Sequence, residues 1–439
     1  AGKKFLTPLD LEFRGALRRH YRGFAIEPPA NLPAELHASV RRALLELTDA
    51  GYFTYDVLQT TSTVSTTFVR RTLLGDAGQT YHYQGLRLFA HPWGPEAPKK
   101  SPLRVLKRLN DALRGLARPH MDEYKAATAV ESSCAFNVTL INLMDPREPT
   151  LRSERDYGMG TTSVSWHSDS SLQTNSTIGV YHVTEGHDAT WAVGLRCLGA
   201  AADAPAVRIP LPSQSSYVMV GQFNDTHHHA VMTGAAPRYS STHRVSVVKA
   251  DTIEYITAKR KAASAVLDGL LAAGTTAAAV DSRALHTLQE THTEVEFQWL
   301  RMYWLQGVRH DAQHAGWWAP RMAALEAWFF EVEAGLATLL DVLEAVTEAR
   351  ADGLVKRSFD ILLYYLGDRQ EQRRGHDERV GHAAYAKLEE ADRPVDRPAF
   401  GAGSPLPRDL SSVLARIEGL KAAFLGASAG AGGGKATKK

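Results

Sequence analysis

The spacing of apolar residues changes its period near residue 250, and that change limits what the chain can fold into. From about residue 135, short runs rich in Val, Ile, Thr and aromatics follow one another: AFNVTLINLMD, STIGVYHV, ATWAVGLRCL, SSYVMVGQF, HHAVMTG and RYSSTHRVSVVKA, with Gly, Asp, Asn and Pro between them. Short strands at this regular spacing predict an antiparallel sandwich or barrel of jelly-roll type. Past residue 250 the strands stop. TIEYITAKRKAASAVLDGLL, SRALHTLQETHTEVEFQWLRMYWLQG, APRMAALEAWFFEVEAGLATLLDVLEAV and DLSSVLARIEGLKAAFL carry helical periodicity, and Leu410, Leu414, Ile417 and Phe424 trace the last stripe. The expected class is α+β: a double-stranded β-helix (jelly-roll) unit flanked by helices over residues 5–250, then an all-α bundle over 251–425. A flexible Gly/Ala/Lys tail is expected over 426–439. Upstream, NLPAELHASVRRALLELTDAG predicts a helix with Leu36, Val40, Ala43, Leu44 and Leu47 on one face and Gly51 as its stop. A second helical stretch, 102–127, is expected to be interrupted at Pro119.

A length of 439 residues agrees with two domains, and a net charge of +2 argues against a nucleic-acid binder held by charge alone. Two cysteines, Cys134 and Cys197, allow neither a disulfide framework nor a cysteine zinc motif, so a reducing intracellular setting is expected. No apolar run approaches the roughly 18 residues a membrane span needs. The opening AGKKFLTPLDLEFRG, which starts on Ala rather than Met, has no secretory apolar core. The sequons at Asn137, Asn175 and Asn224 read as chance matches.

Chemistry concentrates in VSWHSDSS, residues 164–171. In a strand, positions two apart share a face, so His167 and Asp169 are placed to reach one metal. NDTHHHAVMTG, about sixty residues on, offers a third ligand, with His227 and His229 equally eligible by alternation. Two histidines and a carboxylate on one face of an octahedron are the donor set of non-heme Fe(II). RYSSTHR follows, putting Arg238, Ser240, Thr242 and Arg244 on one strand face. Two guanidinium forks and two hydroxyls without a counter-charge call for an anion, and a dicarboxylate fits, clamped at one end and chelating the metal with the other. The combination indicates a 2-oxoglutarate-dependent dioxygenase.

NVTLINLMDP, YGMGTTSVSWHSD, NDTHHHAVMTGAAPRYSSTHRV and EVEFQWLRMYWLQG resemble the fat-mass-and-obesity-associated (FTO) family of AlkB-like nucleic-acid demethylases, from FLTPLDLEF to DLSSVLARI. The resemblance implies His167, Asp169 and His229 as iron ligands, and Arg238 on the distal carboxylate of 2-oxoglutarate with Tyr217 and Ser240. Arg244 and Asn142 would hold the end nearer the metal, with Thr242 beside them. The substrate pocket would comprise Arg71, Tyr81, Tyr83, Val164, Ser165, Trp166 and Ser170. Tyr81 and Tyr83 share a strand face from which aromatic rings stack on a flipped base. The implied cofactors are Fe(II), 2-oxoglutarate as co-substrate and O2, with ascorbate as the reductant in vitro.

The implied partner is single-stranded RNA or DNA carrying methylated bases, N6-methyladenine in RNA foremost and N3-methylpyrimidines second, guided by Arg70, Arg71, Arg87 and nearby lysines. No membrane is involved, a monomer is expected, and the location is nuclear, with the cytoplasm second. Three positions depart from the family pattern: Ser168 replaces a histidine, Ser170 an acidic residue that holds the methylated base, and Gln84 an apolar residue. Competing readings are the same chemistry on a protein or small molecule, and a non-catalytic reader of methylated RNA. His286, His292, His310 and His314 are read as packed or solvated histidines rather than ligands.

Overall fold

A computed structural model describes residues 4–59, 64–67, 69–148, 151–247, 249–272, 282–307, 317–347, 353–395 and 397–432. The chain forms two compact units, Ala1–Thr252 and Ile253–Lys439.

The first unit is a jelly roll of two facing sheets. The larger has the order β1 (Phe24–Glu27), β14 (Ser216–Met219), β11 (Ile178–Thr184), β16 (Arg238–Arg244), β8 (Val138–Met144), β4 (Arg70–Gly75) and β7 (His91–Pro92). It is antiparallel except where β7 lies parallel to β4. The smaller runs β13 (Val207–Pro210), β12 (Ala192–Cys197), β15 (His227–Met232), β10 (Gly160–His167) and β9 (Arg152–Glu154). Two hairpins stand apart: β2 (Val57–Gln59) with β3 (Val64–Thr66), and β5 (Thr80–Tyr83) with β6 (Leu86–Phe89).

Alternation along the large sheet decides what lies on each side. Ile141, Leu143, Tyr181, Val183 and Val218 face helices α2 (Ala34–Asp49) and α3 (Pro102–Thr128), joining Val40, Leu44, Leu47, Leu106, Leu109 and Leu113 in one core. Met144, Val180, Tyr217 and Met219 face the small sheet, where Val193, Leu195, Val207 and Val231 meet them. The site described below opens from this layer between the sheets. The helix expected before Gly51 forms as α2, and Gly51 adopts a φ of 75°, which a side chain resists. The expected break at Pro119 does not occur, since α3 runs through it. Pro119 sits on the exposed side, where solvent can satisfy the carbonyl that its missing N–H leaves free.

The second unit is helical, with Ile253–Ala272, Ser282–Glu294, Ala319–Thr347, Gly353–Val380 and Ser411–Gly432 as its main helices. Ser282–Glu294 continues through a π turn, Val295–Leu300, into Arg301–Leu305. The last helix reaches Gly432, past the point where composition placed the start of a tail. Its alanines sustain the helix, and 433–439 lie outside the described residues. Gly353–Val380 carries no apolar stripe obvious in the sequence. Its buried positions Phe359, Leu362 and Leu366 are continued at the same spacing by Arg369 and Arg373, so arginines complete the inner face. Arg373 donates from Nε to Glu296 at 2.8 Å and from Nη2 to Glu333 at 2.9 Å, Arg301 donates to Glu296 at 3.0 Å, and Arg369 Nε stands 3.6 Å from Glu296. His292 is buried on Phe329 and His286 meets Tyr365, so both are packing residues; His310 and His314 lie outside the described residues.

Removing one member of such a network leaves the others charged and buried. Glu296→Ala is expected to destabilise the helical unit by about 3–5 kcal/mol, read from its denaturant midpoint. A loss under about 1 kcal/mol would show that Glu333 alone neutralises the arginines.

Candidate active site

His167 is the last residue of β10, and the register sets it opposite His229 on β15. Two irregularities in that pairing, between Thr162 and Val164 and between Val164 and His167, give β10 the extra residues that align the rings. The imidazole centroids stand 4.1 Å apart. Asp169 lies beyond the end of β10, so strand geometry does not hold it there as simple alternation predicts. Asn224 holds it instead: its Oδ1 accepts from the Asp169 N–H and its Nδ2 donates to the Asp169 carbonyl, each at 2.8 Å. Arg244 grips the carboxylate from the opposite sheet, Nη2 to Oδ1 at 2.7 Å and Nε to Oδ2 at 3.2 Å.

One ligand atom from each of His167, Asp169 and His229 lies within 4.8 Å of the others. His167 Nδ1 sits 2.8 Å from the Ser165 carbonyl, which accepts only, so Nδ1 carries a proton and Nε2 is the atom left for a ligand. Burial, more than any charge, lowers the His229 pKa to about 3 and keeps the ring neutral. Burial would raise the Asp169 carboxyl, but Arg244, His229 and His167 outweigh it and bring it to about 2. Two imidazoles and a carboxylate are a donor set that suits Fe(II). His227 turns elsewhere. It stacks on Phe223 at 4.0 Å, with Nε2 2.8 Å from the His20 carbonyl.

A cavity of about 440 Å³ adjoins the triad. Cross-strand pairing brings Arg71, Asn142, Ser240 and His182 into one row of the large sheet. Asn142, Ser240, Thr242, Arg244 and Tyr217 line the cavity. Arg238 is wholly buried, its contacts being Ser240 Oγ at 3.3 Å, the Met144 sulfur at 3.6 Å and the Trp191 ring at 5.2 Å. Among the described residues no carboxylate pairs with it, and its Nε has no acceptor. Burial depresses its pKa to about 10. An uncompensated guanidinium at this depth fits an anionic co-substrate.

The rest of the cavity wall is equally built, with Arg71, Tyr81 and Tyr83 among its residues. Arg71 is buried, donating from Nε to Asp56 at 2.6 Å, with its guanidinium carbon 4.0 Å from the Tyr83 ring centre. Its Nη2 is buried with no acceptor. The Tyr81 hydroxyl donates to the Ser170 carbonyl at 2.6 Å, and Ser168 Oγ donates to the His227 carbonyl at 3.1 Å. Val164, Ser165, Trp166, Ser170 and Gln84 line the same cavity. The Trp166 ring is occupied by Phe5, Tyr157 and the Arg196 guanidinium, and Ser165 Oγ donates to Glu154. Three residues escaped the sequence reading: Asn224, which looked like a chance sequon, Asp56 behind Arg71, and Trp191 against Arg238. None belongs to a recognisable spacing.

Residues 11–247 match the family model described as the FTO catalytic domain, and residues 251–419 match the FTO C-terminal domain. The chain belongs to the FTO family. It is 30% identical to a Xenopus laevis protein, "Alpha-ketoglutarate-dependent dioxygenase FTO", over 472 aligned positions that cover 94% of this chain and 92% of that one. Solved structures also resemble it. A prolyl hydroxylase from Trichoplax adhaerens is 13% identical, with a TM-score of 0.35 over 53% of this chain and 87% of that one. A 2OG-Fe(II) oxygenase family oxidoreductase from Burkholderia pseudomallei is 14% identical, with a TM-score of 0.33 over 56% of this chain and 95% of that one. Family membership rests on the sequence matches.

Because Asp56 is the carboxylate that holds Arg71, Asp56→Ala strands a buried guanidinium. Destabilisation of about 3–5 kcal/mol is expected in chemical denaturation of the catalytic unit. A cost near zero would mean that Arg71 re-pairs or reaches solvent.

Proposed function

We propose that this FTO-family chain is an Fe(II)- and 2-oxoglutarate-dependent oxidative demethylase that removes N-methyl groups from bases in single-stranded nucleic acid, with N6-methyladenine in RNA as its substrate. The observation that carries the reading is the uncompensated Arg238 guanidinium beside a cavity walled by His167, Asp169 and His229. When bound, the iron supplies oxygen activation, by which 2-oxoglutarate becomes succinate and CO2 and the N-methyl carbon gains a hydroxyl, its hemiaminal then releasing formaldehyde.

The chain's own residues bind, orient and exclude. His167 and His229 offer ring nitrogens and Asp169 an anionic oxygen, while Asn224 fixes where that carboxylate stands. Arg238, with Ser240 and Tyr217, takes the distal carboxylate of 2-oxoglutarate. Asn142, Thr242 and the free Nη1 of Arg244 lie toward the end nearer the metal. Tyr83, backed by Arg71, offers a ring on which a flipped base stacks, and the free Arg71 Nη2 offers that base a donor.

Charge favours a neutral base. Among the described residues lining the cavity, Asp169 is the one carboxylate, and Arg244 already holds it. Ser170 supplies a hydroxyl where the family has an acid, so nothing here compensates a cationic ring such as 1-methyladenine or 3-methylcytosine. Neutral N6-methyladenine fits best, and neutral 3-methyluracil ranks second.

The test is incubation with Fe(II), 2-oxoglutarate and ascorbate, using short single strands that each carry one modified base, followed by mass identification of the methyl lost. Loss from N6-methyladenine with formaldehyde release is expected. Hydroxylated peptide, or succinate without any methyl loss, would refute the substrate assignment. In the same assay Arg238→Ala should weaken 2-oxoglutarate affinity by roughly two to four decades, the equivalent of about 3–5 kcal/mol from one buried charge pair. Unchanged 2-oxoglutarate dependence would remove the clamp from the mechanism.

A further inference from the structure

The arginines expected to guide a strand are largely unavailable. Arg87 is buried, donating to Thr80 and Asp251, and Arg71 is committed to Asp56 and Tyr83. Positive charge gathers instead beside the edge strand β7. There, a cleft of about 670 Å³ lies between Trp93 and the first turns of α3. Lys99, Lys100, Arg104, Lys107 and Arg108 are five of the ten residues that line it, and none of the ten is acidic. In a chain whose net charge is only +2, that is a strong local asymmetry.

The cleft is partly rigid. Trp93 is fully buried, its Nε1 donating to Asp76 Oδ1 at 2.7 Å. Arg104 is pinned by donating to the Ala97 carbonyl at 2.9 Å and the Pro95 carbonyl at 3.0 Å, which turns its side chain along the wall. Lys107 lies 5.8 Å from the centre of the Trp93 ring and pairs with Asp111 at 2.7 Å. Lys99, Lys100 and Arg108 are exposed, and among the described residues none has an ion-pair partner. Glu96 lies against Gly94 at the rim, and Asp111 is shared by Lys107 and Arg114. The positive end of the 27-residue helix α3, capped by Ser101, adds to the field.

We infer that this cleft is a docking surface for the phosphodiester backbone of the single-stranded nucleic acid, separate from the cavity that receives the base. The inference rests on the nucleic-acid reading above. Phosphates suit the cleft because, among the described residues, its cations stand without an exposed large hydrophobic side chain between them. The exposed large hydrophobic residues, among them Leu9, Leu11 and Leu45, all lie outside residues 93–108, whereas a membrane surface would call for some among the cations. Its position suits a continuous strand as well. β4 carries Arg71 near one end and pairs with β7 through Gly75 and Pro92 at the other, a span of about 13 Å at the usual strand rise. Trp93 packs on the helix side of the large sheet and the cavity opens on the other, so the nucleic-acid strand rounds the sheet edge at β7 to join them.

The probe is fluorescence anisotropy with a long unmodified single-stranded RNA and with a trinucleotide, comparing the full chain with Lys99→Gln/Lys100→Gln/Arg108→Gln. Three lost phosphate contacts at ~0.7 each should lower the slope of log Kd against log salt by about 2 and weaken the long strand about a hundredfold near 0.1 M salt. Trinucleotide binding should not change, and Lys99→Arg/Lys100→Arg/Arg108→Lys should bind like the original. Equal Kd and slope for the Gln variant and the original overturns the docking surface. So does a loss that appears equally with the trinucleotide, or displacement of anionic vesicles rather than RNA. Methyl removal from a methylated trinucleotide is scored separately: if neither protein removes it while the long-strand difference holds, the demethylase reading fails and the docking surface stands.

Discussion

A buried ion pair between Arg244 and Asp169 joins the two sheets at the point where the candidate chemistry is assembled. Arg244 ends β16 on the large sheet, and Asp169 follows β10 on the small one. Each supplies the charge that makes burial of the other tolerable, and Asn224 fixes the aspartate's backbone from a third direction. With Asp169 held there, the strand register that pairs His167 with His229 completes a compact three-ligand face. Arg238 differs from Arg244 in the respect that matters. It shares the strand and the face but has no carboxylate of its own, so its charge remains for a ligand.

Much of this was legible in the sequence because it depends on alternation. Ser240, Thr242 and Arg244 line the cavity, whereas Tyr239 packs toward the helices and His243 stacks against Trp93, as a period of two requires. The switch from strands to helices near residue 250 agrees with the division of the chain at Thr252. What alternation could not supply is geometry set by bulges, loops and partners far away in sequence. Asp169 sits past the end of its strand, His227 points to the His20 carbonyl instead of joining His229, and Asn224 acts through hydrogen bonds 55 residues away. Arg87 looked like surface charge and is buried on Asp251. In the helical unit, the stripe of Gly353–Val380 ends in Arg369 and Arg373, which a hydrophobic pattern cannot register.

Charge placement also separates the family's shared chemistry from this chain's own traits. The donor triad and the two arginines carry the first. Ser170 and Gln84, which line the same cavity, carry the second. Among the described residues lining the cavity the one carboxylate, Asp169, is already committed to Arg244.

His167, Asp169 and His229 are proposed to bind one ferrous ion to which a 2-oxo acid chelates. Anaerobic addition of Fe(II) and then 2-oxoglutarate, followed by visible absorption, tests it most directly. The account predicts a charge-transfer band that needs both additions and disappears in His229→Ala. A band that survives that substitution, or none in the unaltered protein, would contradict it.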